Sequence, residues 1–218
     1  MMLVEDRMTT NVHVLSREDT IQKAIQVMEK YNIRHLPVVN QGKKCIGIVT
    51  DRDIRTAIPS IFDTNEHQEI FHKPVEDIMT TEVITAHPLD YVEDAARLFY
   101  IHHIGCLPVE KEGRLVGILT QTDVLKAFVE LTAANVPGSK IEIVFDGRSS
   151  SIAKIIEILS SQNVYIQNML IYQDRNDHDT TILAIRLNSI NPLPAIETLQ
   201  KYKFQIKNPL FSGESNGQ

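Results

Sequence analysis

Only two cysteines, Cys45 and Cys106, occur in 218 residues; they are far apart and each sits inside an apolar segment. That leaves no material for a disulfide framework or a cysteine zinc site, and buried free thiols are expected. No apolar run reaches the roughly 18 residues that cross a bilayer, so no membrane partner is expected. Positive charge is scarce too: 22 Lys and Arg face 28 Asp and Glu, a net charge of −6. A nucleic-acid binder needs a basic face, and no basic recognition helix is visible, so no nucleic-acid partner is expected. The opening residues Met-Met-Leu-Val-Glu-Asp-Arg carry charge too early for a secretory leader, which points to a cytoplasmic protein. Catalytic signatures are missing as well, with no Gly-x-Ser-x-Gly and no P-loop. His87 precedes Pro88 and His102-His103 closes a helix, and none has a Cys or carboxylate at ligand spacing. Neither a metal site nor an enzyme is expected.

What the chain does contain is repetition. Glu5-Asp6-Arg7-Met8-Thr9-Thr10-Asn11-Val12 returns as Glu76-Asp77-Ile78-Met79-Thr80-Thr81-Glu82-Val83, a shift of 71 residues from Met8 to Met79. Ile33, Leu36, Pro37 and Val38 return as Ile104, Leu107, Pro108 and Val109. After a one-residue slip in a turn, Gly47-Ile48-Val49-Thr50 with Asp53 becomes Gly117-Ile118-Leu119-Thr120 with Asp123. A repeat this long is a duplicated small domain, not a solenoid turn.

Each copy reads as strand, helix, strand, strand, helix. Thr10–Leu15 is expected as a short strand, and Asp19 and Asp90 as the N-caps of helices. Ile21, Ala24, Ile25 and Met28 then form one apolar stripe, matched by Val92, Ala95, Ala96 and Phe99. Leu36–Val39 and Cys45–Val49 are joined by a hairpin turn, as are Leu107–Val109 and Leu115–Leu119. Helices are expected over Asp53–Ala57 and Asp123–Leu131, and Pro59–Pro74 as a partly ordered crossing segment between the copies. The echo ends near Leu131, and Ala134-Asn135-Val136-Pro137-Gly138 marks a boundary. Beyond it come a strand around Ile141–Phe145, a helix capped by Ser149-Ser150-Ser151, strands Val164–Tyr172 and Thr180–Leu187, a helix opened by Pro192 and Pro194, and a last strand at Phe204 and Ile206. This βαββαβ order predicts a ferredoxin-like layout. The fold class is thus α/β (α+β), divided as 1–75, 76–134 and 139–211, with a disordered tail at 212–218.

The chemistry concentrates in Gly-x-x-Thr-x-x-Asp, where a strand ends and a helix begins. A Thr hydroxyl beside free helix-start amides suits a phosphate, and an acid one turn on can accept from a ribose diol. The same pattern is a capping box, in which the Thr and Asp satisfy each other's backbone. Both readings stand at this point. The doubled Met-Thr-x-x-Val, Leu-Pro-Val and Gly-Ile-(Val/Leu)-Thr-x-x-Asp resembles a tandem pair of CBS domains, the Bateman module. That resemblance implies clefts between the copies for an adenosine nucleotide or related adenosyl ligand, with AMP, ADP, ATP and S-adenosylmethionine as candidates and no required cofactor. It implies one site from Thr50 and Asp53 with Thr81 and Val83, and a second from Thr120 and Asp123 with Thr10 and Val12. Arg34 and Arg52, with Gly105 and Thr122 as their counterparts, favour the site around Asp53, because an Arg–phosphate bond is charge-assisted. A solvated surface role is the other reading of both arginines.

Residues 139–211 resemble an ACT domain, although Asp146-Gly147-Arg148-Ser149-Ser150 lacks the Pro-Gly pair of amino-acid-binding members. The resemblance therefore implies dimerisation through sheet edges more than amino-acid binding. Over nearly its whole length, with segments such as Ile33-Arg34-His35-Leu36-Pro37-Val38, Pro59-Ser60-Ile61-Phe62 and Ala86-His87-Pro88-Leu89-Asp90, the chain is similar to acetoin-utilisation B-type proteins. That implies a regulatory homodimer tied to acetoin or acetate metabolism, acting on a regulated protein that the sequence does not identify. The alternative function is a non-catalytic scaffold or interaction protein that makes no use of its clefts.

Overall fold

A computed structural model describes residues 2–58 and 67–207, without the side chains of 67 and 68. The crossing segment expected at Pro59–Pro74 is thus described only from 67 onward, and Pro59–Phe62 and the tail 212–218 lie outside the described residues. The chain forms two units, Met1–Ala127 and Phe128–Gln218.

The first unit holds both copies of the repeat. Copy one comprises α1 (Ile21–Tyr31), the hairpin β1 (His35–Val39) and β2 (Cys45–Thr50), and α2 (Asp51–Ala57), followed by the short α3 (His67–Phe71). Copy two comprises α4 (Val92–His102), β3 (Cys106–Lys111), β4 (Arg114–Thr120) and α5 (Gln121–Leu131), whose last turn passes into the second unit. The expected stripes face inward: Ile21, Ala24 and Met28 are buried in α1, as are Val92, Ala95 and Phe99 in α4. Both helices end on a residue in the left-handed conformation, Asn32 (φ 51°) and His103 (φ 53°). The hairpins are antiparallel, with His35 opposite Thr50 and Cys106 opposite Thr120, and each carries a bulge at the same place, after Val38 and after Val109. The one-residue slip lies between the strands. Copy two turns through Glu112 (φ 53°) and Gly113 (φ 71°), while copy one needs a longer loop in which Asn40 Oδ1 accepts from the amides of Gly42 and Lys44.

Two local expectations need correction. Thr10–Leu15 is not a strand. Only Leu15 pairs, in a parallel bridge to Val38, while Thr9 pairs in antiparallel fashion with Ile118 of the other copy. Residues between them diverge from any partner strand and turn into a cleft. Asp19 and Asp90 are not the helix caps either. Their carboxylates accept from the amides of Ser16 and His87, closing the preceding turns, and Thr20 and Tyr91 occupy the cap positions.

The linear division at 75/76 does not describe the cores. Val75, the buried residue of a 3-10 turn (Val75–Asp77), packs with Leu15, Ile21, Leu36, Val49 and Ile54 of copy one, and Ile78 and Met79 join it. Val4, in the equivalent turn Val4–Asp6, packs with Ala95, Phe99, Leu107 and Leu119 of copy two, joined by Met8. Each copy's opening segment therefore closes the other copy's core. Backbone bonds repeat the exchange: Val75 N donates to Asp19 O (2.7 Å) and Val4 N to Asp90 O (2.9 Å). Thr80 pairs with Ile48 as Thr9 pairs with Ile118.

The second unit is a four-stranded antiparallel sheet with two helices. β5 (Ser139–Phe145), α6 (Ser149–Ser161), β6 (Ile166–Gln173), β7 (Thr181–Leu187), α7 (Leu193–Lys201) and β8 (Gln205–Ile206) follow in order. The sheet order is β6-β7-β5-β8, the arrangement expected of a ferredoxin-like layout. Ile141, Ile143, Ile155, Leu159, Leu183, Ile185 and Leu199 are wholly or almost wholly buried together. Ser149–Ser151 lie inside the first turn of α6, and Arg148 takes the cap position without a side-chain cap bond. Leu131 O accepts from Asn168 Nδ2 (2.5 Å), Pro137 O from Gln167 Nε2 (3.1 Å) and Val136 O from Arg186 Nη2 (2.7 Å), so the stretch before β5 lies against its own sheet.

The exchange also explains the glycine of each repeated motif. A Cβ on Gly47 would meet the Met79 side chain and lie 3.2 Å from Thr80 O; one on Gly117 would meet Met8 and lie 3.2 Å from Thr9 O. Gly47→Val and Gly117→Val are each expected to cost about 1–3 kcal/mol through overpacking, read as a lower urea midpoint. Gly42→Ala faces only the Asn40 side chain and should stay within about 0.5 kcal/mol.

Candidate functional site

Two clefts open between the copies. One, of about 230 Å³, is lined by Thr50, Asp51, Arg52, Asp53, Thr80, Glu82, Val83 and Ile84, with His103, Ile104 and Gly105 opposite. The other, of about 450 Å³, is lined by Thr120, Gln121, Thr122, Asp123 and Lys126, by Thr9, Asn11, Val12 and His13, and by Tyr31, Ile33 and Arg34. His35 and Gly105 stand in the walls of both.

The Thr-x-x-Asp motifs are capping boxes. Thr50 N (2.8 Å) and Thr50 Oγ1 (2.7 Å) donate to Asp53 Oδ2, and Asp53 N donates back to Thr50 Oγ1 (3.3 Å). Thr120 and Asp123 repeat these bonds at 3.0, 2.6 and 3.3 Å. The same residues line the clefts, so capping and wall positions coincide. The bonds converge on Oδ2 in both cases; Oδ1 of Asp123 lies 3.6 Å from Lys126 Nζ.

Val83 lines the Asp53 cleft and Val12 the Asp123 cleft, in the expected pairings. Thr81 and Thr10 are exposed and fall outside the walls, which take the flanking residues instead: Thr80 and Glu82 in one, Thr9 and Asn11 in the other. The shift follows from the bridges, because Thr80 and Thr9 are pinned to Ile48 and Ile118. Arg52 lines the Asp53 cleft as expected. Arg34 does not: it lines the Asp123 cleft. Its carbonyl accepts from Asp51 N (3.1 Å), which keeps its backbone beside α2, but the residue faces the other opening.

The charge asymmetry between the clefts is therefore the reverse of the sequence expectation. At matched positions of the repeat, Arg34 faces Gly105, Lys126 faces Thr56, Asn11 faces Glu82 and His13 faces Ile84. Histidines aside (His13 in the first, His103 in the second, His35 in both), the Asp123 cleft has two cations and one carboxylate; the Asp53 cleft has one cation, Arg52, and three carboxylates, Asp51, Asp53 and Glu82. Asp51 is also paired with Arg55. Sequence reasoning missed Lys126, His13 and Tyr31. The imidazole of His13 stacks on the Tyr31 ring at 3.6 Å and 18°. Lys126 could have been found by extending the copy-to-copy comparison one turn past Asp123.

Gly105 has a reason of its own. A Cβ there would lie 2.5 Å from His35 Nε2, so the Arg34 counterpart is kept side-chain-free by a histidine of the other copy. Burial pushes the His35 pKa below its ordinary 6.5 and Arg34 adds to this, against opposing pulls from Asp51 and Asp53. Burial also drives the thiols up, Cys45 to about 11 and Cys106 to about 12, so both remain protonated and unreactive at neutral pH. Among the described residues no group of three or more His, Cys, Asp or Glu could hold a metal, and no helix is long and apolar enough to cross a membrane.

Comparison with known proteins bears on this arrangement. The CBS domain family model matches residues 4–60 and 75–130. The CBS domain-containing protein YhcV of Bacillus subtilis is 38% identical over 120 residues, 55% of this chain and 81% of its own length. Inosine-5'-monophosphate dehydrogenase of Methanocaldococcus jannaschii is 39% identical over 117 residues, 53% of this chain; the match spans 21% of that enzyme. Among solved structures, a chain assigned as the acetoin utilization protein AcuB of Vibrio cholerae is 36% identical, with a TM-score of 0.53 over 60% of this chain and 93% of its own. The CBS domain pair of protein MJ0100, in complex with 5'-methylthioadenosine and S-adenosyl-L-methionine, is 32% identical (TM-score 0.51; 59% and 96% covered). CBSX2 in complex with AMP is 30% identical (TM-score 0.51; 59% and 97% covered).

The shared histidine yields a pH dependence. With a folded-state pKa below 6.5, His35 is neutral in the fold while the unfolded chain already takes up a proton as pH drops through that value. Its contribution is intact above about pH 6.5 and is lost as pH falls through the lower, folded-state value. Urea titrations between about pH 7 and pH 5 should show stability falling with acidification, with a shallower fall in His35→Asn.

Proposed function

The chain belongs to the CBS domain family, and on that premise we propose that it is a non-catalytic regulatory protein that binds an adenosine nucleotide in the cleft of Thr120 and Asp123. The observation that carries this reading is the wall of that cleft. The positive dipole end of the eleven-residue α5 stands there beside Arg34 and Lys126, with Gln121 N bonded to Gly105 O and Asp123 N to Thr120 Oγ1. The dipole end and the two cations are the groups that hold a phosphate. Asp123 Oδ1, outside the capping box and 3.6 Å from Lys126 Nζ, is the acceptor for a ribose diol, and Val12 with the stacked His13 and Tyr31 offers an apolar and aromatic side to the base. AMP bound to CBSX2 supports the ligand class.

Ligand binding would favour one packing of the two copies over another, by the difference in affinity for the two states. The βαββαβ unit, read as ACT-like from its strand order, or a partner protein would respond to that change. Homodimerisation and a connection to acetoin metabolism belong to the same proposal, the latter on the likeness to the Vibrio chain. One observation favours a scaffold that makes no use of its clefts: Thr and Asp of both motifs already bond to each other.

Titration calorimetry decides between them. AMP is expected to bind the full chain, and Arg34→Ala to lose about 2 kcal/mol, roughly 30-fold, while adenosine binding stays unchanged. No heat with AMP, ADP, ATP or S-adenosylmethionine at millimolar concentration would reject the sensor and leave the scaffold.

A further inference from the structure

We propose that the Asp53 cleft takes a different ligand class from the Asp123 cleft: an adenosyl compound whose 5' substituent carries no net negative charge, neutral or cationic. This rests on the reading of the clefts as adenosyl sites and assigns the second one. The two clefts are copies of one design, so each difference between them can be taken position by position. Where the larger cleft has Arg34 and Asn11, the smaller has Gly105 and Glu82. Lys126, three residues beyond Asp123, has the exposed Thr56 as its counterpart. Each of these changes removes positive charge or adds negative charge.

The remaining cation does not restore the balance. Arg52 shares the cleft with Asp53 and Glu82, and Asp51 is already paired with Arg55 on the outer face of α2. At seven residues, α2 gives weak dipole support compared with the eleven of α5. A phosphate entering here meets uncompensated carboxylates, and desolvating like charges together is unfavourable. A sulfonium is attracted by the same groups, and a thioether is indifferent to them. The walls suit the short thioether of 5'-methylthioadenosine: Ile48, Val83, Ile84 and Ile104 are apolar, and the cleft has about half the volume of its counterpart, 230 against 450 Å³. Two imidazoles also stand in this wall, His35 and His103, and burial pushes the pKa of His35 below 6.5.

The test is calorimetry on the full chain with 5'-methylthioadenosine, S-adenosylmethionine and AMP. The wild type should still bind 5'-methylthioadenosine when AMP is saturating, so that both are held at once. Glu82→Lys, at an exposed position outside the cores, should weaken S-adenosylmethionine at this cleft about tenfold and tighten AMP there by a similar factor. Displacement of 5'-methylthioadenosine by AMP, or a Glu82→Lys protein whose preferences match the wild type, would overturn the assignment. AMP binding without any 5'-methylthioadenosine or S-adenosylmethionine binding defeats this proposal alone. Silence with all three ligands defeats the nucleotide reading as well.

Discussion

The exchange of opening segments between the two copies is the constraint on which the rest of the first unit depends. Val4 and Val75 are fully buried, each in the core of the copy to which it does not belong in sequence. A duplicated domain of some 60 residues buries little surface by itself and is marginal alone. Trading an apolar anchor in each direction completes both cores at once, and hydrophobic burial, the dominant favourable term, makes the pair a single cooperative body. The Met-Thr segments that follow the anchors are then held on the far strand of the neighbouring hairpin by the Ile48–Thr80 and Ile118–Thr9 bridges.

That same geometry builds the clefts. Once Thr9 and Thr80 are pinned, the next residues leave the sheet and run across the opening in front of a Thr-x-x-Asp helix start. Each cleft thus combines a helix from one copy with an opening segment from the other, and neither copy has a complete cleft of its own. Gly47 and Gly117 allow the approach, because any side chain there would occupy the place of Met79 or Met8. Structural and functional roles are superposed in these residues. The carboxylates of Asp53 and Asp123 complete capping boxes with one oxygen and remain cleft-wall groups.

Pseudo-symmetry makes differences informative. A duplicated fold holds the backbone nearly constant, so unequal side chains at matched positions alter chemistry without altering architecture. Gly105 is the clearest case. It lacks a side chain because His35 Nε2 occupies the space, and its absence of charge separates the clefts in electrostatics. The same histidine stands in the walls of both openings.

The duplication, the two helical stripes, both hairpins and the βαββαβ order of residues 139–207 were legible in the chain because they are local patterns of period two or 3.6, punctuated by turn residues. The Thr-x-x-Asp motifs were legible as helix starts for the same reason. What was not legible depended on contacts between residues far apart in sequence. Thr10–Leu15 alternates like a strand, yet a strand needs a partner along its length, and only Leu15 and the preceding Thr9 find one. Arg34 lies nearer Asp53 than Asp123 in the chain and beside Asp51 in the backbone, yet it lines the Asp123 cleft. By itself, then, the sequence determined the elements and the existence of two related sites, through short-range periodicity and capping. Only the tertiary structure decided which opening segment meets which helix and where each charge falls, because the copies complete each other across a separation of about 70 residues that no local pattern encodes.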